Sequence, residues 1–260
     1  MRPVIDGTVR DRRAAGSTTL GREAFADGTP SDAMDFDSFV LAASTADLGD
    51  EPGAREHADC IEFRMDLAES PLEALESYDG KLPVLATNRA DWEGGEATDD
   101  GRRLDELERA AERDAVEAID LELETMRSGD GERVADHARE HGGDVVVSSH
   151  DFEGTPGMTD LQETLRAACT HGDVGKLAVT ARARADVLDL LVATRAATAE
   201  GDRVATMAMG EPGRHSRAVA PLYGSRIGYA PVDPAKATAP GQYDLATLAD
   251  LIAALEGESE

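Results

Sequence analysis

The sequence predicts a single-domain (β/α)8 TIM barrel over residues 36–260, and three observations carry that prediction. Eight short apolar runs alternate with amphipathic stretches whose apolar residues recur at three and four positions. No GxGxxG or GxxxxGKS/T turn is present, although an open doubly wound sheet, the structural alternative, would usually announce one. Several runs also carry polar or charged residues at alternate positions, which a barrel turns inward toward a site.

Residues 1–35 come first. The stretch MRPVIDGTVRDRRAAGSTTLGREAFADGTPSDA has no sustained period and little aliphatic content, so it reads as a poorly ordered extension. The strand candidates follow: FVLAAS (39–44), CIEFRMDL (60–67), LPVLATNR (82–89), VEAIDLEL (116–123), DVVVSSHDF (144–152), GKLAVTA (175–181), RVATMAMG (203–210) and SRIGYAPV (225–232). Helical patterns lie between and after them. PLEALESY follows the second run and GRRLDELERAAERDA precedes the fourth. DGERVADHAREHG, TDLQETLRAACTHG and RADVLDLLVATRAATAEG separate the next runs. EPGRHSRAVAPLYG precedes the eighth, and YDLATLADLIAALEG comes last; several of these close on Gly.

Composition narrows the function classes. Asp and Glu number 53 against 26 Lys and Arg, a formal charge of −27. A surface that negative repels phosphate backbones and anionic lipid, so neither nucleic acid nor a membrane is an expected partner. No apolar run reaches the roughly 18 residues of a membrane span, and no signal peptide is visible. Cys60 and Cys169 have no metal-type spacing and suggest a reducing, cytoplasmic compartment. Lysine occurs only at positions 81, 176 and 236. High Asp and Glu, scarce Lys, abundant Ala and Gly and few aromatics describe a protein from a salt-adapted, halophilic cytoplasm; an ordinary acidic protein is the alternative.

The stretch IEFRMDL alternates strictly. In a barrel Ile61, Phe63, Met65 and Leu67 should face the helices, which turns Glu62, Arg64 and Asp66 inward. Charges buried there are costly unless they are paired or serve a ligand. Thr87 with Arg89, Asp120 with Glu122, Ser148 with His150, and Lys176 with Ala178 and Thr180 repeat the pattern on other strands. So many ionisable groups inside a barrel describe a substrate site rather than a packed core.

Lys176 and His150 are the sharpest of these residues. Small residues share the face of Lys176 and leave room for its stem to reach the C-terminal mouth. Nearby arginines would favour its neutral amine, which attacks ketones to form an imine, an electron sink. A strand-end lysine in solvent is the plain alternative. Lys81 precedes its strand and belongs to the opposite face of the barrel; Lys236, after the eighth strand, is not excluded by pattern. His150 closes its strand in SSHDF, where an imidazole carries protons near neutral pH or simply hydrogen-bonds a strand end. His57, His137, His141, His171 and His215 lie in helical or loop stretches.

IEFRMDL, NRADWEGG, SSHDF, GKLAV, MGEPGRHSR and TAPGQ, in this order, resemble type I 3-dehydroquinate dehydratase over roughly residues 38–255. The resemblance implies dehydration of 3-dehydroquinate to 3-dehydroshikimate in the shikimate pathway. It implies that Lys176 forms an imine with the C3 ketone and that His150 removes the C2 proton and protonates the departing C1 hydroxyl. Glu93 matches the acid that orients the histidine. Glu62, Arg64 and Arg89 match residues that hold ring hydroxyls, and Arg217 matches the clamp on the substrate carboxylate. Gln242 matches a contact on the closing loop, and Thr238 stands where the family often has Ser. Ser44 matches a first-strand hydroxyl in the weakest of the correspondences. No metal or organic cofactor is implied, because the lysine supplies the electron sink. A homodimer is common in the family, although no segment here argues an interface.

Two other readings exist. A Schiff-base aldolase on the same barrel would need a phosphate site after the seventh and eighth strands. An acidic carrier of small anions would use Arg64, Arg89 and Arg217 but would leave Lys176 and His150 without a role. Whatever the chemistry, the charge has a consequence for stability. The Debye length falls from about 30 Å at about 0.01 M salt to about 3 Å at about 1 M, so salt relieves carboxylate repulsion that the folded state concentrates. Thermal unfolding should therefore shift upward with KCl into the molar range, and the initial rate should peak at high salt. A melting point that stays flat from dilute buffer to molar KCl would reject the halophilic reading.

Overall fold

The computed structural model describes residues 34–233, 235 and 241–257. Eight strands form one all-parallel sheet: β1 (Val40–Thr45), β2 (Cys60–Arg64), β3 (Val84–Thr87), β4 (Val116–Glu122), β5 (Asp144–Asp151), β6 (Val174–Thr180), β7 (Val204–Met209) and β8 (Ile227–Pro231). Neighbours in sequence pair in order from β1 to β7, and β1 also pairs with β8. The seam between β7 and β8 is drawn together by a bridge between Val204 and Ser225 and by the Arg226 N–H on the Val204 carbonyl at 2.7 Å. The eight runs thus become the eight strands of a nearly closed barrel.

The helices are α1 (Glu51–Ala54), α2 (Pro71–Glu76), α3 (Asp100–Ala111), α4 (Leu123–Ser128), α5 (Glu132–Glu140), α6 (Met158–His171), α7 (Arg184–Glu200), α8 (Ser216–Val219) and α9 (Leu245–Glu256). Asp99 caps α3 by accepting from the Arg102 N–H, and Asp244 caps α9 by accepting from the Thr247 N–H. β6 lies close against α6 because residue 175 is glycine. A Cβ there would come within 2.6 Å of the Cys169 sulfur.

The structure departs from the sequence pattern in three places. The alternation of IEFRMDL ends at Arg64, and Met65–Leu67 turns into a 3-10 helix. Asp66 therefore does not continue the inward face; it sits behind Arg64 as its ion-pair partner, and Leu67 is exposed. The run VEAIDLEL passes directly into α4 at Leu123, so Glu122 is the hinge between strand and helix. The stretch EPGRHSRAVAPLYG does not form one helix. Pro212 and Pro221 divide it into two 3-10 turns around the four-residue α8.

The interior has two levels. Its floor is apolar: Phe36, Val40, Ala42, Cys60, Leu85, Ala118, Val146, Val174, Ala205 and Ile227 pack together. Met34 packs against this cluster, so residues 34–36 belong to the barrel's floor, whereas the rest of the proposed N-terminal extension lies outside the described residues. Ile61, Phe63, Ile119 and Leu121 point the other way, into the layer between strands and helices, as the alternation predicts. Phe36 is 1% exposed and closes the barrel end opposite the charged level. Phe36→Ala should cost about 3–5 kcal/mol of stability through lost burial and the cavity left behind. Urea unfolding in molar KCl measures this, and a loss below about 1 kcal/mol would show that the floor does not depend on the plug.

Candidate active site

Above the apolar floor, the C-terminal ends of the strands surround a cavity of about 570 Å³, open to solvent. Glu62, Arg64, Thr87, Arg89, Glu93, His150, Phe152, Lys176, Met207, Met209, Arg217, Tyr229 and Gln242 are among its lining residues. This is the end of a (β/α)8 barrel where strand-end and loop residues converge.

Lys176 is the third residue of β6 and is 4% exposed. Its Nζ lies 3.0 Å from Asp120 Oδ2, 3.9 Å from Glu62 Oε1 and 4.3 Å from the Tyr229 ring centroid. The charges nearest to the amine are thus carboxylates, not the arginines that the sequence suggested. Asp120 also receives the Ser148 hydroxyl at 2.7 Å and the Arg89 guanidinium at 2.7 Å. Burial alone would raise its carboxyl, but Arg89, Lys176 and these hydrogen bonds hold it far below the usual carboxylate range. Burial likewise opposes the charge on Arg89, and Asp120 with Glu122 outweighs it, so Arg89 stays charged.

Glu93 reaches the cavity on the loop after β3. Asp91–Glu93 forms one 3-10 turn, which Gly94 ends with φ at +82°. Gly95 follows where a Cβ would lie 2.1 Å from the Arg89 carbonyl oxygen. The two glycines of NRADWEGG let the loop fold back over the barrel mouth. Glu93 Oε1 accepts the backbone N–H of His150 at 2.6 Å and lies 3.2 Å from its Nδ1. Burial pushes the Glu93 carboxyl up to about 7; Arg89 and the His150 N–H pull against this, while Glu122 and Asp120 add to it. Burial, with Arg89 and Lys176 adding to it, holds His150 well below the ordinary imidazole value. Phe152 stacks on the imidazole, with ring centroids 5.9 Å apart and planes 9° from parallel.

Arg217 projects from α8 and is buried, with no ion-pair partner among the described residues, and its Nε has no hydrogen-bond partner. Burial pulls this guanidinium down to about 10, opposed by Glu62. An unpaired buried fork is a natural seat for a carboxylate ligand. Arg64 is held by Asp66 through two parallel contacts, 2.9 and 2.7 Å. Ser44 does not line the cavity; its hydroxyl donates to Glu62 from behind. Thr238 and Lys236 lie outside the described residues. Among the described residues, no group of three or more His, Cys, Asp or Glu side chains could hold a metal ion.

Residues 42–259 match the family described as type I 3-dehydroquinase. The chain belongs to that family. It is 60% identical to the 3-dehydroquinate dehydratase of Haloarcula marismortui over 229 residues, 87% of this chain and all of the relative. It is 54% identical to that of Halobacterium salinarum over 86% of this chain and all of the relative. These relatives are halophiles, the origin that the composition predicts. The 3-dehydroquinate dehydratase of Geobacillus kaustophilus superposes with a TM-score of 0.76 at 27% identity, covering 86% of this chain and 93% of that one. The type I enzyme of Clostridium difficile, solved with covalently modified comenic acid, gives 0.74 at 25% identity over 84% and 92% of the two chains.

One contact and one residue of this site escaped the sequence. Alternation turns Asp120 inward, but nothing in the pattern says that it meets a lysine two strands away. Tyr229 is an inward aromatic on β8 in a chain with only 4% aromatics, and that rarity was its one signal.

Proposed function

We propose that this chain dehydrates 3-dehydroquinate to 3-dehydroshikimate through an imine on Lys176, with His150 moving the protons. The observation that carries the assignment is the placing of three groups in one cavity: a buried amine between carboxylates, a neutral imidazole, and an unpaired buried guanidinium. Arg217 takes the substrate carboxylate in its fork. Glu62, Arg64, Arg89 and Gln242 face the ring, where its hydroxyls need partners, and Thr238 belongs to the same closing loop by resemblance.

The steps follow from the charges. Lys176 attacks the C3 ketone, and His150 carries the protons that its nitrogen sheds to the carbinolamine oxygen, which departs as water and leaves an iminium cation. Asp120, held ionised, stabilises that positive charge and is too weak a base to remove a proton itself. The iminium draws electrons from the C2–H bond, and His150 takes the proton. The resulting enamine expels the C1 hydroxyl, to which the His150 imidazolium returns a proton, and water then hydrolyses the imine. Ionised Glu93 orients His150 by accepting its Nδ1–H, which leaves Nε2 free for the substrate. Ser44 braces Glu62. The catalytic unit begins by residue 34, two residues earlier than the sequence suggested. No described helix is long and apolar enough to cross a membrane, and neither Cys60 nor Cys169 is in a disulfide. A cytoplasmic enzyme that forms a homodimer fits this reading.

Borohydride added during turnover should reduce the imine and leave the substrate or product on peptide 175–181 as a secondary amine, its mass less one oxygen, and Lys176→Ala should abolish both labelling and turnover while keeping the fold. Label on Lys236 would overturn the assignment. His150→Ala should still be trapped by borohydride but should eliminate water about 10²–10⁴-fold more slowly.

The pH profile gives a separate check. Glu93 must be ionised to hold His150, and its carboxyl titrates near 7. The rate should therefore fall as pH drops through about 7, with the charge on Glu93 lost below that point. A rate still constant well below pH 7 would remove Glu93 from this role.

A further inference from the structure

We propose that Glu122 and Arg103, which lie outside the cavity, are positioning residues: they aim Arg89 and hold the loop that carries Glu93. The inference rests on the reading above. Neither residue lines the cavity, and both are almost wholly buried.

Glu122 stands at the junction of β4 and α4, and both of its oxygens are engaged on two sides. Oε1 accepts from Arg89 Nη1 at 3.1 Å and from the Ala90 N–H at 3.1 Å. Oε2 accepts from Arg103 Nη1 at 2.7 Å and from the Thr125 hydroxyl at 3.2 Å. Thr125 in turn accepts from Arg103 Nη2 at 2.9 Å. Arg103, Glu122, Arg89, Asp120 and Lys176 therefore form a row of alternating charges from helix α3 to the reacting amine.

The same two residues grip the Glu93 loop at two points, Ala90 and Trp92. Ala90, fixed by Glu122, gives its carbonyl to the N–H groups of Glu93 at 3.1 Å and Gly95 at 2.8 Å. On the outer side, Arg103 Nε donates to Asp100 at 2.6 Å, and Asp100 accepts the Trp92 indole N–H at 3.3 Å. The Arg103 guanidinium lies 5.8 Å from the Trp92 ring centroid. Glu93 is thus suspended between a buried clamp and a rim clamp that share Arg103. A buried ion pair that merely fastens α3 would need only Arg103 and Glu122. Here Glu122 also turns to Arg89 and to the loop backbone.

The charged groups around Glu93 set the test. Arg89 faces it from the end of β3, His150 from β5, and Asp120 and Glu122 from β4. Glu122→Gln removes a negative charge from this set and places an amide N–H₂ against one of two guanidiniums. Arg103→Met removes the cation that offsets Glu122. In molar KCl, both variants should lose kcat, by up to about 10²-fold for a misaimed group, with a smaller change in KM. The acid limb of the pH profile should move to lower pH in Glu122→Gln and to higher pH in Arg103→Met. Trp92, the single tryptophan, should change its emission in Arg103→Met.

Imine trapping on Lys176 should persist in both variants. If the wild-type protein traps no imine, the functional reading fails; if it does and both limbs keep the wild-type position, this inference is overturned. Asp100→Ala, at an exposed side chain, covers the case in which a buried variant fails to fold. It removes the oxygen that Arg103 Nε and the Trp92 indole share, and wild-type kcat and pH profile there would overturn the role of Arg103.

Discussion

Arg89, buried between Asp120 and Glu122, is the contact on which the upper half of the barrel depends. Its two terminal nitrogens divide between two carboxylates of the same strand, β4. Burying any of these ions alone would cost several kcal/mol. Buried together and paired in charge, they fix one another, and the fixed positions pass outward to the working groups. Asp120 holds Lys176, Glu122 holds the base of the Glu93 loop, and Glu93 holds His150. A lysine would not substitute for Arg89, because a single ammonium cannot serve two diverging carboxylates with a planar fork.

That charged level is possible because the lower level asks for nothing polar. Phe36 and the small and branched residues around it fill the floor, and Ala178, Met207, Met209 and Tyr229 form the step between the two levels. The Tyr229 ring makes the transition chemically useful, since its face lies under the Lys176 nitrogen. On the outside, Ile61, Phe63 and Leu121 occupy the helix-facing positions of strands whose other faces carry Glu62 and Asp120. Stability and chemistry are therefore separated by the period of two along each strand, not by separate segments of chain.

This period is why so much was legible. The inward direction of Glu62, Arg64, Asp120, His150 and Lys176 follows from alternation once a barrel is inferred, and the eight runs gave the barrel. What alternation does not give is azimuth: which inward side chains meet across the axis depends on stagger around the barrel, so the Asp120–Lys176 contact was invisible. It also fails where a strand ends. Asp66 falls one turn past β2 and becomes the support of Arg64, and Glu122 looks like one more strand residue although it is a hinge. Arg217 was legible only through resemblance, because two prolines break the helical pattern that carries it.

The cavity resolves its carboxylates into different protonation behaviour by neighbourhood alone. Asp120 and Glu93 are both buried, and burial raises both. Asp120 touches Arg89 and Lys176 directly and receives a hydroxyl, so its charge is secured. Glu93 receives an amide N–H and lies beyond Arg89, with Glu122 and Asp120 working against it, so its carboxyl titrates near 7. One carboxylate is thereby a permanent counter-charge for a cationic intermediate, and the other is a partner for a proton carrier. The surface charge of −27 works against an anionic substrate, whereas Arg217 offers the approaching carboxylate a buried cation that no described carboxylate neutralises. Salt screens the first field more than the second, because the surface carboxylates are exposed and the Arg217 fork is buried. High salt therefore lowers the barrier to approach while it leaves the contact that selects the substrate largely intact.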